Sequence, residues 1–205
     1  MYIPPPYQEH RQEVLVGAIR QRGFGTLASF NAGQLHVSHL PFVLAGAGEE
    51  LTLIAHLARA NPQWRGLAGT EAAATFLIDD AYISPGWYPS KQDAGRVVPT
   101  WNYIAVEARG QMEVVEDAEG LLALLEPLTA AHENHRPRPW TVAEAPADYL
   151  AALLKGIVGI RMVAPVLTGA WKLDQKKAAA DRLGAAAGLR RDEGAEGIAG
   201  WMEQV

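Results

Sequence analysis

The stretch from His56 to Trp64 holds the residues of this chain whose types and spacing best suit chemistry. An alternating apolar run precedes it and predicts a strand. Asn61 followed by Pro62 predicts a helix start, because Asn is a favourable N-cap and Pro is tolerated in the first turn. Free N–H groups at a helix N-terminus favour an anion such as phosphate, and Arg59 would add a charged, bidentate contact. The same residues also suit a solvated turn that places Trp64 in the core.

A second group of interest is aromatic and lies beside two proline-marked loops. It contains Trp87, Tyr88, Trp101 and Tyr103, with the amide of Asn102 between the last two. Flat aromatic walls with a nearby amide suit a planar heterocycle, which would stack and form hydrogen bonds at its edge. The alternative is that these residues fill one end of a barrel or a subunit interface.

Other catalytic and metal-binding signatures are weak. The chain has no cysteine, which excludes thiolate zinc sites and cysteine nucleophiles. His36 and His39 are three apart on a predicted strand, so they should point to opposite faces and cannot share a metal ion. His132 and His135 would share a helix face, but Pro137 ends that helix, and a solvated helix end is the better interpretation.

Composition limits the possible partners. Hydrophobic residues make up 49% and charged residues 20% of the 205-residue chain, which is ordinary for a globular domain. The formal net charge of −5 means that nucleic-acid binding would need a local basic face. Acidic residues interrupt the best candidate for such a basic face, which favours a solvated helix instead. The cations of this face are Lys176, Lys177, Arg182, Arg190 and Arg191. The N-terminus has no signal-peptide pattern and no apolar run has membrane-spanning length, so a soluble, cytoplasmic protein is expected.

Apolar periodicity predicts several short strands with few helical crossovers. The predicted strands are Phe24–Phe30, Leu35–Leu44, Leu51–Leu57, Glu71–Ile78, 99–115 and Ile157–Leu173. The predicted helices are a first one ending near Gly23, a short one over 62–67, then Ala118–Ala131, Ala147–Lys155, and one or two with a loose tail after Asp174. This order predicts a mainly β protein, an antiparallel split β-barrel with peripheral helices. A doubly wound sheet is disfavoured because strands and helices do not alternate regularly.

Six sequence blocks together resemble the PaiB-type family, whose members are described as FMN-binding negative transcriptional regulators. The blocks follow one another along nearly the whole chain and are 1–4, Ser38–Phe42, His56–Trp64, Tyr82–Tyr88, Val98–Tyr103 and Trp171–Gln175. The resemblance implies a homodimeric split barrel, similar to flavin reductases and pyridoxamine-phosphate oxidases, with FMN between the subunits. It implies an FMN-binding domain over residues 1–175, with helices inserted at about 117–155, and a C-terminal helical tail over 176–205.

The resemblance also implies roles for residues in the first half of the chain. By analogy with the fold, the third strand and the following helix hold the FMN phosphate, which places this role on His56, Arg59 and Asn61. Ser38 and His39 would be neighbours of the flavin ring or of its ribityl chain.

In the second half, Trp101, Asn102 and Tyr103 would line the flavin, and Lys172 and Gln175 would extend across the dimer. One departure from the family concerns the block after Lys172. The family usually has Ser and Asn where this chain has Asp174 and Lys176. An acid near a phosphate is unfavourable, so either Asp174 points away or flavin binding at that edge is altered.

Two functional hypotheses follow. The first is an FMN-binding regulator, with DNA contact inferred from the family name only. The second is an FMN-dependent oxidoreductase, either an NAD(P)H:flavin reductase or a pyridoxamine-phosphate-oxidase-like enzyme, in which the protein orients the reactants and excludes water. The motif blocks contain no clear catalytic acid or base, which favours the first. A different ligand, such as pyridoxal phosphate or heme, stays open.

Overall fold

The computed structural model describes residues 1–31 and 33–205. Eight strands and six helices are the main elements of these residues. The strands are β1 (Gln8–Glu9), β2 (Phe24–Asn31), β3 (Gln34–Pro41), β4 (Val43–Ala45), β5 (Thr52–Ala58), β6 (Glu71–Ile83), β7 (Thr100–Val115) and β8 (Ile157–Lys172). The helices are α1 (Gln12–Arg22), α2 (Lys91–Ala94), α3 (Ala118–Glu133), α4 (Ala147–Leu154), α5 (Ala179–Gly188) and α6 (Glu196–Glu203). None of the helices in these ranges is long and apolar enough to cross a membrane.

The strands within the described residues form one sheet in the order β3-β2-β6-β7-β8-β5-β4, and β1 pairs with β8. The β2–β3, β2–β6, β4–β5, β5–β8 and β1–β8 pairs are antiparallel. The predicted antiparallel, mainly β architecture with peripheral helices is therefore confirmed.

The chain divides into two compact units. The terminal unit consists of Met1–Leu15, Leu77–Val106 and Thr168–Val205, and the hairpin unit consists of Val16–Phe76 and Glu107–Leu167. The long strands β6, β7 and β8 each contribute residues to both units. The predicted boundary between residues 175 and 176 stays a prediction.

In the hairpin unit, α3 and α4 cover the sheet with leucines. Asp117 caps α3 by accepting a hydrogen bond from the backbone N–H of Gly120 at 2.8 Å. Leu124 is buried against Ile54 of β5, and Leu121 is buried with Leu154 of α4. Each such leucine stabilises the fold by about 1.5–3 kcal/mol relative to an exposed one.

In the terminal unit, α5 and α6 pack against each other through small and apolar residues. Ala185, Ala186, Ile198, Ala199 and Met202 are all fully buried. The prediction of a loose tail is therefore wrong. The spacing of the alanines reflects a packed helical face, although the many charged residues of the segment suggested a solvated one.

Two predicted boundaries differ from the structure. The strand predicted over Leu35–Leu44 is split at Phe42, because the chain there leaves its pairing with β2 and begins to pair with β5. The strand predicted to close at Asp79 runs on to Ile83, since sheet pairing outweighs the weak strand preference of the two acids. The connection between the predicted strands Phe24–Phe30 and Leu35–Leu44 includes residue 32, which lies outside the described residues.

Candidate functional site

The side chain of Asn61 lies between a turn and strand β3. Its Oδ1 accepts a hydrogen bond from the backbone N–H of Gln63 at 2.9 Å, so Asn61 caps the 3₁₀ turn Pro62–Trp64. Its Nδ2 donates to Oγ of Ser38 at 2.9 Å. Ser38 Oγ is therefore the acceptor of this bond. The hydroxyl proton of Ser38 and the second amide proton of Asn61 have no acceptor among the described residues. The Ser38–Asn61 pair therefore has two protons available to an oxygen-rich group.

The predicted helix over 62–67 is wrong in length, because the structure has only the three-residue turn Pro62–Trp64. So short a turn leaves no aligned set of peptide dipoles, and the helix N-terminus argument for an anion loses its basis. The N-cap assignment of Asn61 is confirmed. Any anion binding here must come from side-chain donors and cations.

Gln63 organises the interior of this region, and sequence reasoning missed it. The residue is fully buried, and its Nε2 contacts the Leu27 carbonyl at 3.3 Å and Ser29 Oγ at 3.1 Å. The amide of Asn31 donates to the Gln63 carbonyl at 3.2 Å. Nothing in the local sequence indicates this role, because the partners of Gln63 are some 35 residues away along the chain.

Arg59 is occupied by structural contacts. Its Nε donates to the Lys155 carbonyl at 3.1 Å, and Nη1 forms an ion pair with Glu116 at 2.7 Å. Nη2 donates to the Ile157 carbonyl at 3.1 Å. Arg59 therefore ties the end of β5 to the connection between α4 and β8.

Trp64 lies next to two guanidinium groups. The ring centroid is 5.7 Å from Arg59 and 5.6 Å from Arg65, a distance that suits cation–π contacts. In residues 1–31 and 33–205, the guanidinium of Arg65 has no hydrogen bond or ion pair, unlike that of Arg59. Arg65 is a second residue that sequence reasoning missed, although its position directly after Trp64 is a usable signal.

The two predicted histidines lie in different environments. His56 lies opposite Gly159 in the β5–β8 pair, on the face covered by Leu124 of α3. Burial lowers the pKa of His56, so its imidazole is neutral at pH 7, and its buried Nδ1 has no partner among the described residues. His39 is exposed on β3, where its ring is 3.0 Å from Thr26 Oγ1.

In the hairpin unit, the structure thus brings Ser38 and Asn61 together and leaves the other predicted residues apart. Successive residues of a strand alternate between faces, so Ser38 and His39 point to opposite sides of β3. No hydrogen bond in the described residues joins His56 or Arg59 to the side chain of Ser38.

In the terminal unit, β7 separates the predicted aromatic residues from the predicted amide. Trp101 is 54% exposed and contacts Tyr82 edge-on at 6.0 Å between ring centroids. Asn102 is fully buried on the other side of the strand; its Nδ2 donates to the sulfur of Met202 at 3.4 Å. Its Oδ1 is buried without a partner among the described residues.

Lys172 and Gln175 bond to their own chain. The Lys172 ammonium donates to Thr100 Oγ1 at 2.6 Å and to the Trp101 carbonyl, and lies 6.0 Å from the centre of the Tyr103 ring. Burial lowers the pKa of Lys172. The Gln175 side chain folds back, with Oε1 accepting from the Leu173 N–H at 2.8 Å.

Asp174 points to a tyrosine. Its Oδ2 accepts a hydrogen bond from the Tyr88 hydroxyl at 2.8 Å, and both side chains are buried. Burial, and then the bond to Asp174, raise the pKa of Tyr88. The departure from the family at Asp174 thus serves an internal hydrogen bond.

The C-terminal cations also have internal partners. Arg190 forms ion pairs with Glu196 and Glu203, and Arg191 pairs with Asp192. Three further cations make other contacts in the same unit: Lys176 lies over Tyr7, Lys177 lies over Tyr88, and Arg182 donates to the Met202 carbonyl. These contacts favour the predicted solvated helix over a nucleic-acid stripe.

Solved structures define the class of fold. The FAD and heme binding protein from Mycobacterium smegmatis superposes with a TM-score of 0.56 at 18% identity, covering 81% of this chain and 73% of that one. The flavocytochrome Anf3 from Azotobacter vinelandii gives 0.53 at 14% identity, covering 83% and 72%. At these identities the likeness concerns the fold alone. The predicted fold class, an antiparallel split β-barrel with peripheral helices, is confirmed.

Sequence comparison defines the family. Residues 1–164 match the family model described as "Putative FMN-binding domain". The protease synthase and sporulation protein PAI 2 of Bacillus subtilis is 31% identical over 197 residues, covering 94% of this chain and 91% of that protein. The chain therefore belongs to this FMN-binding-domain family, and the PaiB-type resemblance is confirmed.

Proposed function

We propose that this protein binds FMN and acts as a homodimeric flavoprotein of the PaiB type. The observation that carries the proposal is the family match over residues 1–164, which includes the Ser38–Asn61 donor pair. Bound FMN would supply hydride- or electron-transfer chemistry, and the protein would supply binding and orientation.

The donor pair fits the chemistry of FMN. Ser38 and Asn61 each have one proton without an acceptor among the described residues, and phosphate, ribityl and ring carbonyl oxygens of FMN all accept hydrogen bonds. The half-buried position of both residues would strengthen such bonds by excluding water.

The phosphate also requires a cation, and two of the predicted ones are poorly suited. His56 is neutral at pH 7 because burial lowers its pKa. Arg59 already pairs with Glu116. We therefore propose that Arg65 is the cation that binds the phosphate, because its guanidinium has no acidic partner in the described part of the chain.

The roles of Trp101, Asn102, Tyr103, Lys172 and Gln175 around the flavin stay predictions from the resemblance. The unpartnered Oδ1 of Asn102 supports a polar role for that residue, since a buried acceptor without a donor is unfavourable. The internal bonds of Gln175 make it the weakest of the five assignments.

The outer face of the β2–β3 hairpin supports a homodimer. In the antiparallel register Phe30 lies opposite Leu35, and Ala28 lies opposite Val37. Phe30 is 68% and Leu35 is 70% exposed, and Val37 is exposed beside them. Such a contiguous apolar face on an edge hairpin is unfavourable in water, and a second copy of the same face would cover it by two-fold symmetry.

A regulatory role is proposed from family membership. Arg190 and Arg191 of the C-terminal segment are paired with acids, so these two cations do not support direct DNA contact. The missing catalytic acid or base in the motif blocks favours a regulator over the alternative, an FMN-dependent oxidoreductase.

The test of FMN binding uses the absorbance and melting temperature of the purified protein. We expect flavin absorbance as purified. After removal of flavin, FMN at 100 times its Kd should stabilise the fold by about 2.7 kcal/mol, or a rise in Tm of about 5–10 °C. Riboflavin, which lacks the phosphate, should raise the Tm less. A colourless protein with an unchanged Tm in FMN would refute the cofactor.

The test of the dimer uses light scattering after size-exclusion chromatography. Val37→Lys places a charge in the apolar face and should convert a dimer into a monomer. Gln34→Lys, on the same strand and already exposed, is the matched control and should leave the dimer intact. A wild-type monomer, or a dimer that persists in Val37→Lys, would contradict the proposed interface.

The regulator and the oxidoreductase are separated by adding NADPH to the flavin-loaded protein without oxygen. Unbleached flavin supports the regulator, and rapid bleaching supports the oxidoreductase. A gel shift at physiological salt then tests DNA contact, because a specific complex survives salt better than non-specific binding does.

A further inference from the structure

We propose a second binding site, for a phosphate monoester with a small apolar body, in a pocket where α1 and α3 end beside β4. This cation pocket is lined by Arg20 and Arg22 of α1 and by His132 of α3, over Phe42 and Leu44. Its volume is about 390 Å³, within the range of small-molecule sites. None of its residues belongs to the proposed FMN site.

Gly23 lies between the two helix ends that line the pocket. This residue ends α1 with a positive φ of 63°, and its carbonyl accepts the Phe42 N–H at 2.6 Å. A Cβ at Gly23 would lie 3.7 Å from Cε1 of His132. The last turn of α1 and the last turn of α3 therefore open onto the same concavity.

Among the side chains that the structure describes, the pocket lining contains two arginines and no acid. Within that same set, neither the Arg22 guanidinium nor the His132 ring has a hydrogen bond or ion pair, and Arg20 has only the Gly46 carbonyl at 3.5 Å. In a chain with a formal net charge of −5, cations gathered without acids are unusual. Their mutual repulsion is relieved by an anion.

The lining determines the class of ligand. Guanidinium groups bind phosphate through paired hydrogen bonds, and an imidazole can donate to a third oxygen. Of the apolar lining residues, Phe42 and Leu44 are buried and Val43 is partly exposed, so the apolar surface suits only a compact group. A phosphate monoester carrying a small ring satisfies both parts of the pocket.

The experiment is a calorimetric titration of flavin-free protein with phenyl phosphate. We expect saturable binding with one site per chain, weakened at least about tenfold in the double variant Arg20→Gln, Arg22→Gln, because charge-assisted bonds are lost. Arg138→Gln removes one positive charge from an exposed position outside the pocket and should leave the affinity within about twofold.

Two results would overturn this proposal: no saturable binding to the wild type, or equal affinity in the double variant. Far-UV circular dichroism and Tm establish that each variant is folded, as expected for exposed side chains. A titration in the presence of FMN separates the two sites. If FMN competes with phenyl phosphate, the pocket belongs to the flavin site, which also overturns the proposal; if FMN fails to bind while phenyl phosphate binds, only the proposed function fails.

Discussion

Two turns of this protein have nearly the same local structure and very different surroundings. Pro62–Trp64 is capped by Asn61, and Pro85–Trp87 is capped by Ser84, whose Oγ accepts the Gly86 N–H at 3.1 Å. Both are single 3₁₀ turns that begin with proline and end with tryptophan. The cap and the proline explain the shared backbone.

The surroundings differ in charge and in hydrogen bonding. Neutral amides and hydroxyls lie around the first turn, together with the guanidinium groups of Arg59 and Arg65 beside Trp64, and the spare protons of Ser38 and Asn61 are kept. Carboxylates of the C-terminal segment surround the second. Asp192 accepts from Trp87 Nε1 at 2.7 Å, Asp181 accepts from Ser90 Oγ at 2.7 Å, and Asp174 accepts from Tyr88.

This difference separates a binding region from a structural one. In the loop Ser84–Ser90, the donors of Trp87, Tyr88 and Ser90 already have acceptors, so the loop is fixed and offers little to a ligand. The Ser38–Asn61 pair still has donors to offer. We therefore propose that the carboxylates stabilise the fold and that the Ser38–Asn61 pair binds FMN.

The largest expected effect is on the carboxylate side. Asp174→Ala removes the acceptor of a buried hydroxyl and places alanine at a φ of 62°. The free energy of unfolding should fall by about 2–4 kcal/mol, measured by urea denaturation. Asp174→Asn keeps an acceptor and tolerates this backbone, so it should lose clearly less. Equal stability of Asp174→Ala and the wild type would show that the Asp174 carboxylate has no structural role.

The same contact predicts a dependence on pH. The pKa of Tyr88 is raised in the folded protein, so the neutral hydroxyl contributes to the free energy of unfolding below about pH 10. This contribution is lost as the pH rises above that value, because the tyrosine ionises first in the unfolded chain. Tyr88→Phe should lack this component of alkaline destabilisation. An identical alkaline slope in both proteins would contradict it.

The two arginines beside Trp64 offer the next test. Arg59→Ala removes bonds to two backbone carbonyls and should lower the free energy of unfolding by about 1–3 kcal/mol. Arg65→Ala should change stability by less than about 0.5 kcal/mol but weaken FMN binding about tenfold. The reverse outcome, with Arg59 controlling FMN affinity, would return the phosphate to the position predicted from sequence.

A smaller effect is expected at Gly188. A Cβ there would lie 2.3 Å from Cγ of Trp87, so Gly188→Ala should destabilise the protein by about 1–2 kcal/mol through overpacking. Gly17→Ala is the matched control in α1, where a Cβ meets nothing within 4 Å. It should stabilise by about 0.5–1 kcal/mol, measured by thermal unfolding. If Gly188→Ala is also stabilising, α5 does not hold Trp87 tightly.

Periodic elements could be predicted from the sequence because alternation and helical spacing record which face is buried. The predicted extension of the strand to Val115 and the helix end near Gly23 are both confirmed. The N-cap of Asn61 was predictable as well, since its partner is two residues away.

Roles that depend on distant partners could not be predicted. Asp174 and Tyr88 are 86 residues apart, and the partners of Gln63 lie on β2 and β3. Local sequence made Asp174 an apparent obstacle to phosphate binding, whereas its carboxylate serves Tyr88. Likewise, Arg59 had the right charge for phosphate, and only the fold shows that Glu116 already neutralises it.

The most direct test of the central claim is the FMN dissociation constant of Asn61→Asp, measured by quenching of flavin fluorescence on titration into flavin-free protein at pH 7. Aspartate preserves the N-cap but cannot donate to Ser38, and it adds a negative charge beside the proposed phosphate position. Asp181→Asn, in the other network, is the control and should bind FMN like the wild type. We predict affinity at least about tenfold weaker in Asn61→Asp with stability unchanged within about 0.5 kcal/mol. Wild-type affinity in a folded Asn61→Asp protein would contradict the assignment of this pair to FMN.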